Sequence, residues 1–587
     1  MSTQTASSKE FSYYDFLPVV ASPAKSSFQH LDESINRLRE GARQFAKLSI
    51  DERLQLAYSM QKGYLNVAER SVKAACKAKG IGIGTLLEGE EWATGPLCVV
   101  RHLRLVRESL QSIKQTGNTT IGKVGRTITD KLAVQVYPVS TIDGILFKDV
   151  RVDVHMQSGM TEEKLESSRA SFYKQPDHEG KVVMVLGAGN IAAIPSMDVI
   201  SKMFNEGKVC ILKMNPINAY IGPFIEEAFA EAIKRNFLVV VYGGVEEGEY
   251  LTRHEQIDEI HITGSDKTHD AIVWGPPGPE RAERMARNNP VINKTISSEL
   301  GNVSPVIIVS GPYTDKELRF QAEDLAGSFG CNASFLCCAP VMIVTYKGWE
   351  QRDKFLGYLE EQLASLETKK AYYPGARERW KTITDSHSNV STFGSVTTDS
   401  TPWTLIRGLD PNNVDEPLFN NEPFCSVLAE TVIDAGDPVN FLERAVEFVN
   451  KRLWGTLTAN IIVHPRTMKD SRLSEAVERM ISDLHYGTVT VNSNFHGFSF
   501  SVSTPPWGAY PGSALNDIQS GRGWVHNTNM LEGIEKTVAR FPLTAFPKPA
   551  WFPSHRTADK LIQRMVTLEE HASWSKVPGV VLTAMRG

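Results

Sequence analysis

Lys181-Val182-Val183-Met184-Val185-Leu186-Gly187-Ala188-Gly189-Asn190-Ile191-Ala192 decides the fold. After Lys181 the run is continuously apolar, as a strand buried on both faces requires. Gly187 and Gly189 then break it, and an amphipathic helix is predicted from there to about Asn205. Lys208-Val209-Cys210-Ile211-Leu212-Lys213 is a second apolar run. Strand, turn, helix and strand make a β-α-β unit, which implies a parallel sheet with helices on its faces. Gly-x-Gly-x-x-Ala at the first turn has the form of a dinucleotide fingerprint. The acidic residue expected at the end of the second strand is absent, and Lys213 stands there instead. Read alone, the unit gives an α/β class and leaves the ligand open.

Two later stretches carry the chemistry. One is Ser298-Glu299-Leu300-Gly301. The other is Gly330-Cys331-Asn332-Ala333-Ser334-Phe335-Leu336-Cys337-Cys338-Ala339, with Cys337 standing 38 positions after Glu299. A thiolate attacks carbonyl carbon at neutral pH and leaves well when a thioester is hydrolysed. A carboxylate within one water of it takes its proton and later activates a hydrolytic water. Taken singly, Glu299 also fits a turn or cap, and two adjacent cysteines in an apolar run also fit buried packing.

Together these motifs resemble the aldehyde dehydrogenase superfamily, over roughly residues 30 to 520. The resemblance implies an α/β fold: a Rossmann-type cofactor domain, an α/β catalytic domain and a small oligomerisation element. It implies Cys337 as nucleophile and Glu299 as base. It also implies Asn190 as amide donor to the oxyanion, although a helix N-cap is an equally simple use of that residue. Asn190 and Lys213 are 23 positions apart, the family's spacing, and the resemblance places Lys213 at the adenosine ribose. Tyr242-Gly243-Gly244-Val245-Glu246-Glu247-Gly248 is similar to the family's Gly-rich turn, so Gly243 and Gly248 join the cofactor set. Thr263-Gly264-Ser265 resembles the strand end where the pyrophosphate meets a helix N-terminus, so Gly264 and Ser265 join it as well. Glu416-Pro417-Leu418-Phe419 and Glu422-Pro423-Phe424 both resemble the Glu-x-Phe motif. The second has the better spacing and precedes a strand, so Glu422 and Phe424 are assigned to the nicotinamide ribose and ring. Asn492 is expected to help shape the substrate pocket.

The implied activity is NAD- or NADP-dependent oxidation of an aldehyde to a carboxylic acid through a cysteine thioester. The implied partners are an aldehyde and further copies of the chain. Two other readings stay open. A CoA-acylating dehydrogenase or acyl-CoA reductase would share the thioester, but acylating members generally lack a base like Glu299. A non-catalytic relative would keep the fold and bind a partner.

Several departures from the family bear on specificity. Phe335 stands in the loop before Cys337, where a smaller neighbourhood is usual, and is expected to narrow or reshape the approach to the thiol. Pro216 occupies the place of a carboxylate common in NAD-preferring members, which leaves NADP open. Asn302-Val303 replaces Gly-Lys after Gly301. Gly275-Pro276-Pro277-Gly278-Pro279 indicates an inserted loop.

The remaining chain sets bounds. Its 587 residues exceed one domain, with 41% apolar and 22% charged residues. A net charge of −5 gives no basic patch, so nucleic acid is not implied. Seven cysteines without CxxC pairs or His/Cys ligand spacing indicate a reducing compartment and no metal site, hence a cytoplasmic location. No membrane span and no secretory signal are read. Gly117 to Lys123 matches the start of a phosphate-binding P-loop, but Val124 stands where Ser or Thr is needed. By domain, 1–27 is read as an irregular arm, and 28–298 as a helical N-terminal part with the dinucleotide-binding domain. Within it, 130–180 is an oligomerisation or insertion segment: Leu132–Tyr137 reads as a strand and 150–180 as polar and irregular. Residues 299–495 are read as the catalytic domain, with 380–415 as a loop or insertion, and 496–587 as a C-terminal loop and extension.

Overall fold

The computed structural model describes residues 23–175, 177–395 and 397–587. The arm read over 1–27 lies mostly outside them. The chain then opens with helices Phe28–Ala46, Ile50–Lys79 and Cys98–Thr116. Ser49 caps the second through a reciprocal capping box with Glu52, and Gly80, left-handed at φ 71°, ends it. Their apolar stripes, among them Leu31, Ile35, Met60, Val67, Leu103 and Val106, join the core beneath the first sheet.

That sheet has six strands in the order Gly521–Arg522, Thr295–Glu299, Glu259–Thr263, Val182–Leu186, Val209–Lys213, Leu238–Val241. All but the first are parallel. Val182–Leu186 is the central strand, and the chain builds outward on one side and then the other. In open parallel sheets ligands bind where that order reverses, at the carboxyl ends of the strands. The register sets those ends level: Leu186 pairs with Lys213, Lys213 with Val241, and Thr263 with Glu299.

The second sheet has eleven strands. Its order is Val124–Arg126, Leu132–Tyr137, Arg151–Met156, Ile534–Arg540, Thr488–Val491, Thr458–Ile462, Ser304–Ile308, Pro340–Tyr346, Val427–Ile433, Trp403–Leu409, Val390–Phe393. The segment Leu300 to Val303 crosses from one sheet to the other. Asn302 fixes the crossing, giving its amide to Ser304 Oγ at 2.9 Å and Thr458 O at 2.8 Å.

Three segment readings are corrected. Residues 150–180 are not irregular: Arg151–Met156 is a strand, and helices Glu162–Ser168 and Ser171–Lys174 follow. Alternating Val152, Val154 and Met156 carry the strand, and its polar partners Asp153 and His155 are covered too because strands flank it on both sides. Residues 380–415 are not a loop, since the helix Ala376–Ser386 and strands Val390–Phe393 and Trp403–Leu409 occupy them. The tail is not only an extension, because Ile534–Arg540 sits inside the second sheet. It joins the strands expected to be an oligomerisation element to the chain's own sheet. The inserted stretch after Gly275 is mainly a helix, Pro279–Ala286. Beyond the sheet, helix Ala558–Glu570 folds back onto the N-terminal helices, and Val577–Ala584 packs on it. Glu569, in the first, bonds Arg101 Nη1 at 2.6 Å and Arg104 Nε at 2.7 Å.

Candidate active site

Glu299 ends its strand at the crossing between the sheets and is 3% exposed. Its backbone faces Gly521 across an antiparallel pair, and Leu300 N–H donates to Ser520 O at 2.8 Å. The Glu299 carboxyl stands against the Cys337 thiol and the Trp507 indole N–H. Neither Oε1 of Glu299 nor Nε1 of Trp507 completes a hydrogen bond, so both are buried polar atoms facing a reactive group without a partner. Burial lifts the Glu299 carboxyl to about 8, and Asp198 adds to the rise. Asp198 is buried and accepts from Thr263 Oγ1 at 2.8 Å.

Cys337 lies between the helix Asp315–Gly330 and the strand Pro340–Tyr346. It is half-buried, whereas the other six cysteines are buried, and all seven are free. Its thiol is held well above the ordinary range by the neighbouring Cys338 thiol, by burial and by Glu299. Around it pack Leu457, Trp507, Val525 and Cys338, with Leu336 and Phe500 half-buried beside it. The wall is apolar and aromatic.

The backbone before Cys337 is unusual. Asn332, Ala333 and Ser334 are all left-handed, at φ 49°, 55° and 66°. Each such non-glycine residue costs about 1–2 kcal/mol, so side chains must hold the run. Asn332 does so: its amide donates to Phe335 O at 3.0 Å and Asn190 O at 3.1 Å. Its oxygen accepts from Lys79 Nζ and Tyr372 OH, both at 3.0 Å. Sequence reading quoted Asn332 without assigning it a role, although Asn is among the few residues that tolerate this conformation.

Asn190 is buried and gives its amide to Phe335 O at 3.0 Å. One N–H is thus spent on the nucleophile loop, and the amide has a second. Phe335, expected to narrow or reshape the approach to Cys337, is 1% exposed and packs with Tyr372, Tyr373 and Phe424.

The residues assigned to a cofactor gather at the carboxyl ends of the first sheet. Lys213 is 7% exposed, and its Nζ has no hydrogen-bond partner among the described residues. Burial lowers it to about 8, partly opposed by Glu247. Gly248 runs beneath Lys213: a Cβ there would lie 3.8 Å from Lys213 Cε. Gly243 has φ 148° and leads into a turn where Gly244 N–H donates to Glu247 Oε2 at 2.7 Å. Gly264 and Ser265 are exposed at the start of the helix Asp266–Trp274, where Ser265 Oγ accepts from Thr268 N–H at 3.2 Å. Glu422 reaches the crossing segment and accepts from Asn302 N–H at 3.2 Å. Burial raises its carboxyl to about 8, and Glu299 contributes. Phe424, left-handed at φ 40°, is clamped by Arg379, which donates to Pro423 O at 3.1 Å and Phe424 O at 2.8 Å. The alternative Glu416 turns away, onto His387 and Leu418 N–H.

Asn492 is not at the pocket. Its side-chain oxygen accepts from Val463 N–H at 2.8 Å, joining two strand ends. Trp507, Phe500, Asp198 and Arg379 were missed by sequence reading. They come from distant elements, and only the fold brings them to one place.

The site thus sets the Glu299 carboxyl against the half-buried Cys337 thiol where the first sheet passes into the second. No family model matches the chain. A curated relative is "Aldehyde dehydrogenase family 3 member A2" of Rattus norvegicus, 22% identical over 355 residues, 58% of this chain and 64% of that protein. Another is "N-succinylglutamate 5-semialdehyde dehydrogenase" of Novosphingobium aromaticivorans, 25% identical over 208 residues, 34% of this chain and 42% of that protein. The chain thus matches less than two thirds of the length of either. Among solved structures, an indole-3-acetaldehyde dehydrogenase with NAD+ is 16% identical with TM-score 0.60, covering 89% of this chain and 92% of that one. A succinic semialdehyde dehydrogenase from Streptococcus pyogenes with NADP+ is 15% identical with TM-score 0.59, covering 88% and 96%. The fold is that of the aldehyde dehydrogenases, and the sequence is similar to theirs at low identity. No helix among the described residues is long and apolar enough to cross a membrane.

Proposed function

We propose that the chain oxidises an aldehyde to a carboxylic acid, with NAD or NADP as hydride acceptor. The observation that carries this is the buried Glu299 carboxyl set against the half-buried Cys337 thiol. Ionised Glu299 takes the thiol proton. The Cys337 sulfur bonds the aldehyde carbon, and the carbonyl pair moves onto oxygen. The free N–H of Asn190 and the Cys337 backbone N–H hold that oxygen. Lys213, Glu422 and Phe424 are assigned to the cofactor, with Gly243, Gly248, Gly264 and Ser265 shaping the bed. A nicotinamide held there would supply the acceptor for the hydride that leaves the aldehyde carbon. Cys337 then carries a thioester. Glu299, having released the thiol proton to solvent, takes a proton from water, the hydroxide adds, and the sulfur leaves as thiolate with the acid released. The resemblance also assigns a homo-oligomer, tested by light scattering.

The test is reduced-cofactor formation with aliphatic and aromatic aldehydes. NAD and NADP are run in parallel, with and without CoA, beside Cys337→Ala. Turnover without CoA, lost in the variant, supports the reading. Turnover only with CoA moves it to the acylating class. Cofactor binding without turnover moves it to a non-catalytic relative.

A further inference from the structure

Between the N-terminal helices and the nucleophile loop lies a buried polar network that the proposed reaction does not use. Lys79, at the end of the helix Ile50–Lys79, is 6% exposed. It pairs with Glu91, 1% exposed, at 2.7 Å, and its third contact is the Tyr372 ring, 5.3 Å from Nζ to centroid. The same Nζ donates to Asn332 Oδ1. Tyr372 OH donates both to Asn332 Oδ1 and to Asn190 O, the latter at 2.9 Å. From the other side Asn332 N–H donates to Glu90 Oε2 at 3.0 Å, and Lys369, which also pairs with Glu90, donates to Gly330 O at 2.8 Å. Asn332 thus ties together the left-handed run, the Asn190 turn and a helix more than two hundred residues earlier in the chain.

We propose that Asn332, held by the Lys79–Glu91 pair, is a positioning residue that sets the Cys337 thiol against Glu299 and aligns it with Asn190. The inference rests on Cys337 being the nucleophile. Its physical basis is geometric. Three consecutive left-handed residues do not stay so unaided, and Asn332 is the first of them. Its amide bridges two carbonyls, Phe335 O beside Cys337 and Asn190 O at the oxyanion turn. Without it the loop relaxes towards ordinary backbone and carries Cys337 away from Glu299. The titratable groups facing the thiol are Cys338 on its own loop and Glu299 on the neighbouring strand, with Asp198 behind Glu299.

The test is Asn332→Gly, because glycine keeps the left-handed backbone open while removing the bridge. Two readouts move in opposite directions. The kcat for aldehyde oxidation falls about 100-fold, with KM and cofactor affinity within about twofold. Alkylation of Cys337 by iodoacetamide above about pH 8, where Glu299 is ionised, speeds up about tenfold, because a thiol moved out of its buried place beside Cys338 and Glu299 ionises at lower pH. Peptide mapping, with the Asn332→Gly/Cys337→Ala double variant as control, identifies the labelled cysteine. Loosening of the fold alone would label the buried cysteines. Lys79→Met combined with Glu91→Leu removes the supporting pair without leaving a lone buried charge and shifts both readouts the same way; it carries the test if Asn332→Gly does not fold. An unchanged kcat, or an unchanged alkylation profile at Cys337, overturns the proposal. Alkylation needs no turnover, so a shifted profile in a protein that oxidises no aldehyde leaves the positioning role standing and removes the activity.

Discussion

Glu422 rests directly on Gly301: a side chain at Gly301 would overlap the Glu422 carboxylate. The glycine after Glu299-Leu300 therefore exists to let the ribose-binding candidate approach the chain segment that carries the base. Gly301→Ala is expected to displace Glu422 and weaken NAD and NADP binding about tenfold or more, the scale of one charge-assisted hydrogen bond. Titration calorimetry without aldehyde reads this out. Unchanged affinity removes Glu422 from the cofactor set.

Glu299 and Glu422 are both raised from the ordinary carboxylate range to about 8 by burial. The folded protein then holds protons that the unfolded chain gives up at lower pH. Stability from these groups is full below the unfolded range and is lost as pH rises towards about 8. Melting temperature should fall over that window, and Glu299→Gln should flatten the fall. Turnover runs the other way, because the base must be ionised, so kcat should rise with pH through about 8. A rate that is flat from neutral pH upward would remove Glu299 as the base.

Lys213 is a buried cation without a hydrogen-bond partner among the described residues. Lys213→Met keeps its volume and removes the desolvated charge, so the protein without cofactor should melt higher. Cofactor affinity should drop about tenfold, since one charged bond is lost. A variant that melts higher and still binds NAD and NADP normally would show that Lys213 does not touch them.

Phe500 and Leu336, both half-buried, pack with Cys337 against the same apolar cluster. Phe500→Ala should raise KM for benzaldehyde or hexanal about tenfold, while acetaldehyde changes little, because only larger aldehydes reach the ring. Equal effects on all aldehydes would place Phe500 outside the pocket.

Glu569 joins the C-terminal helix to the core through Arg101 and Arg104, and Arg101 also bonds Asp143 at 3.1 Å. All four are buried. Glu569→Ala leaves two buried guanidiniums short of charge, so unfolding free energy should fall by about 3–5 kcal/mol in urea titration. A loss within error would mean that the tail only rests on the surface.

By itself the sequence determined the β-α-β unit and its class. Continuous apolar runs such as Val182 to Leu186 are local signals, and Gly187 and Gly189 mark the turn between them. It also marked Glu299 and Cys337, because short motifs at fixed spacing need no fold to be seen. Segments with alternating charge, such as Arg151-Val152-Asp153-Val154-His155-Met156, read as irregular. Their polar residues are covered only once Ile534–Arg540 pairs beside them. Tertiary structure alone decided that Phe335 packs against Tyr372, Tyr373 and Phe424, that Trp507 faces Glu299, and that Lys79 supports Asn332. The physical reason is the same in each case. A side chain's local sequence fixes its backbone preference, whereas its direction and partners are set by elements hundreds of residues away that share its core.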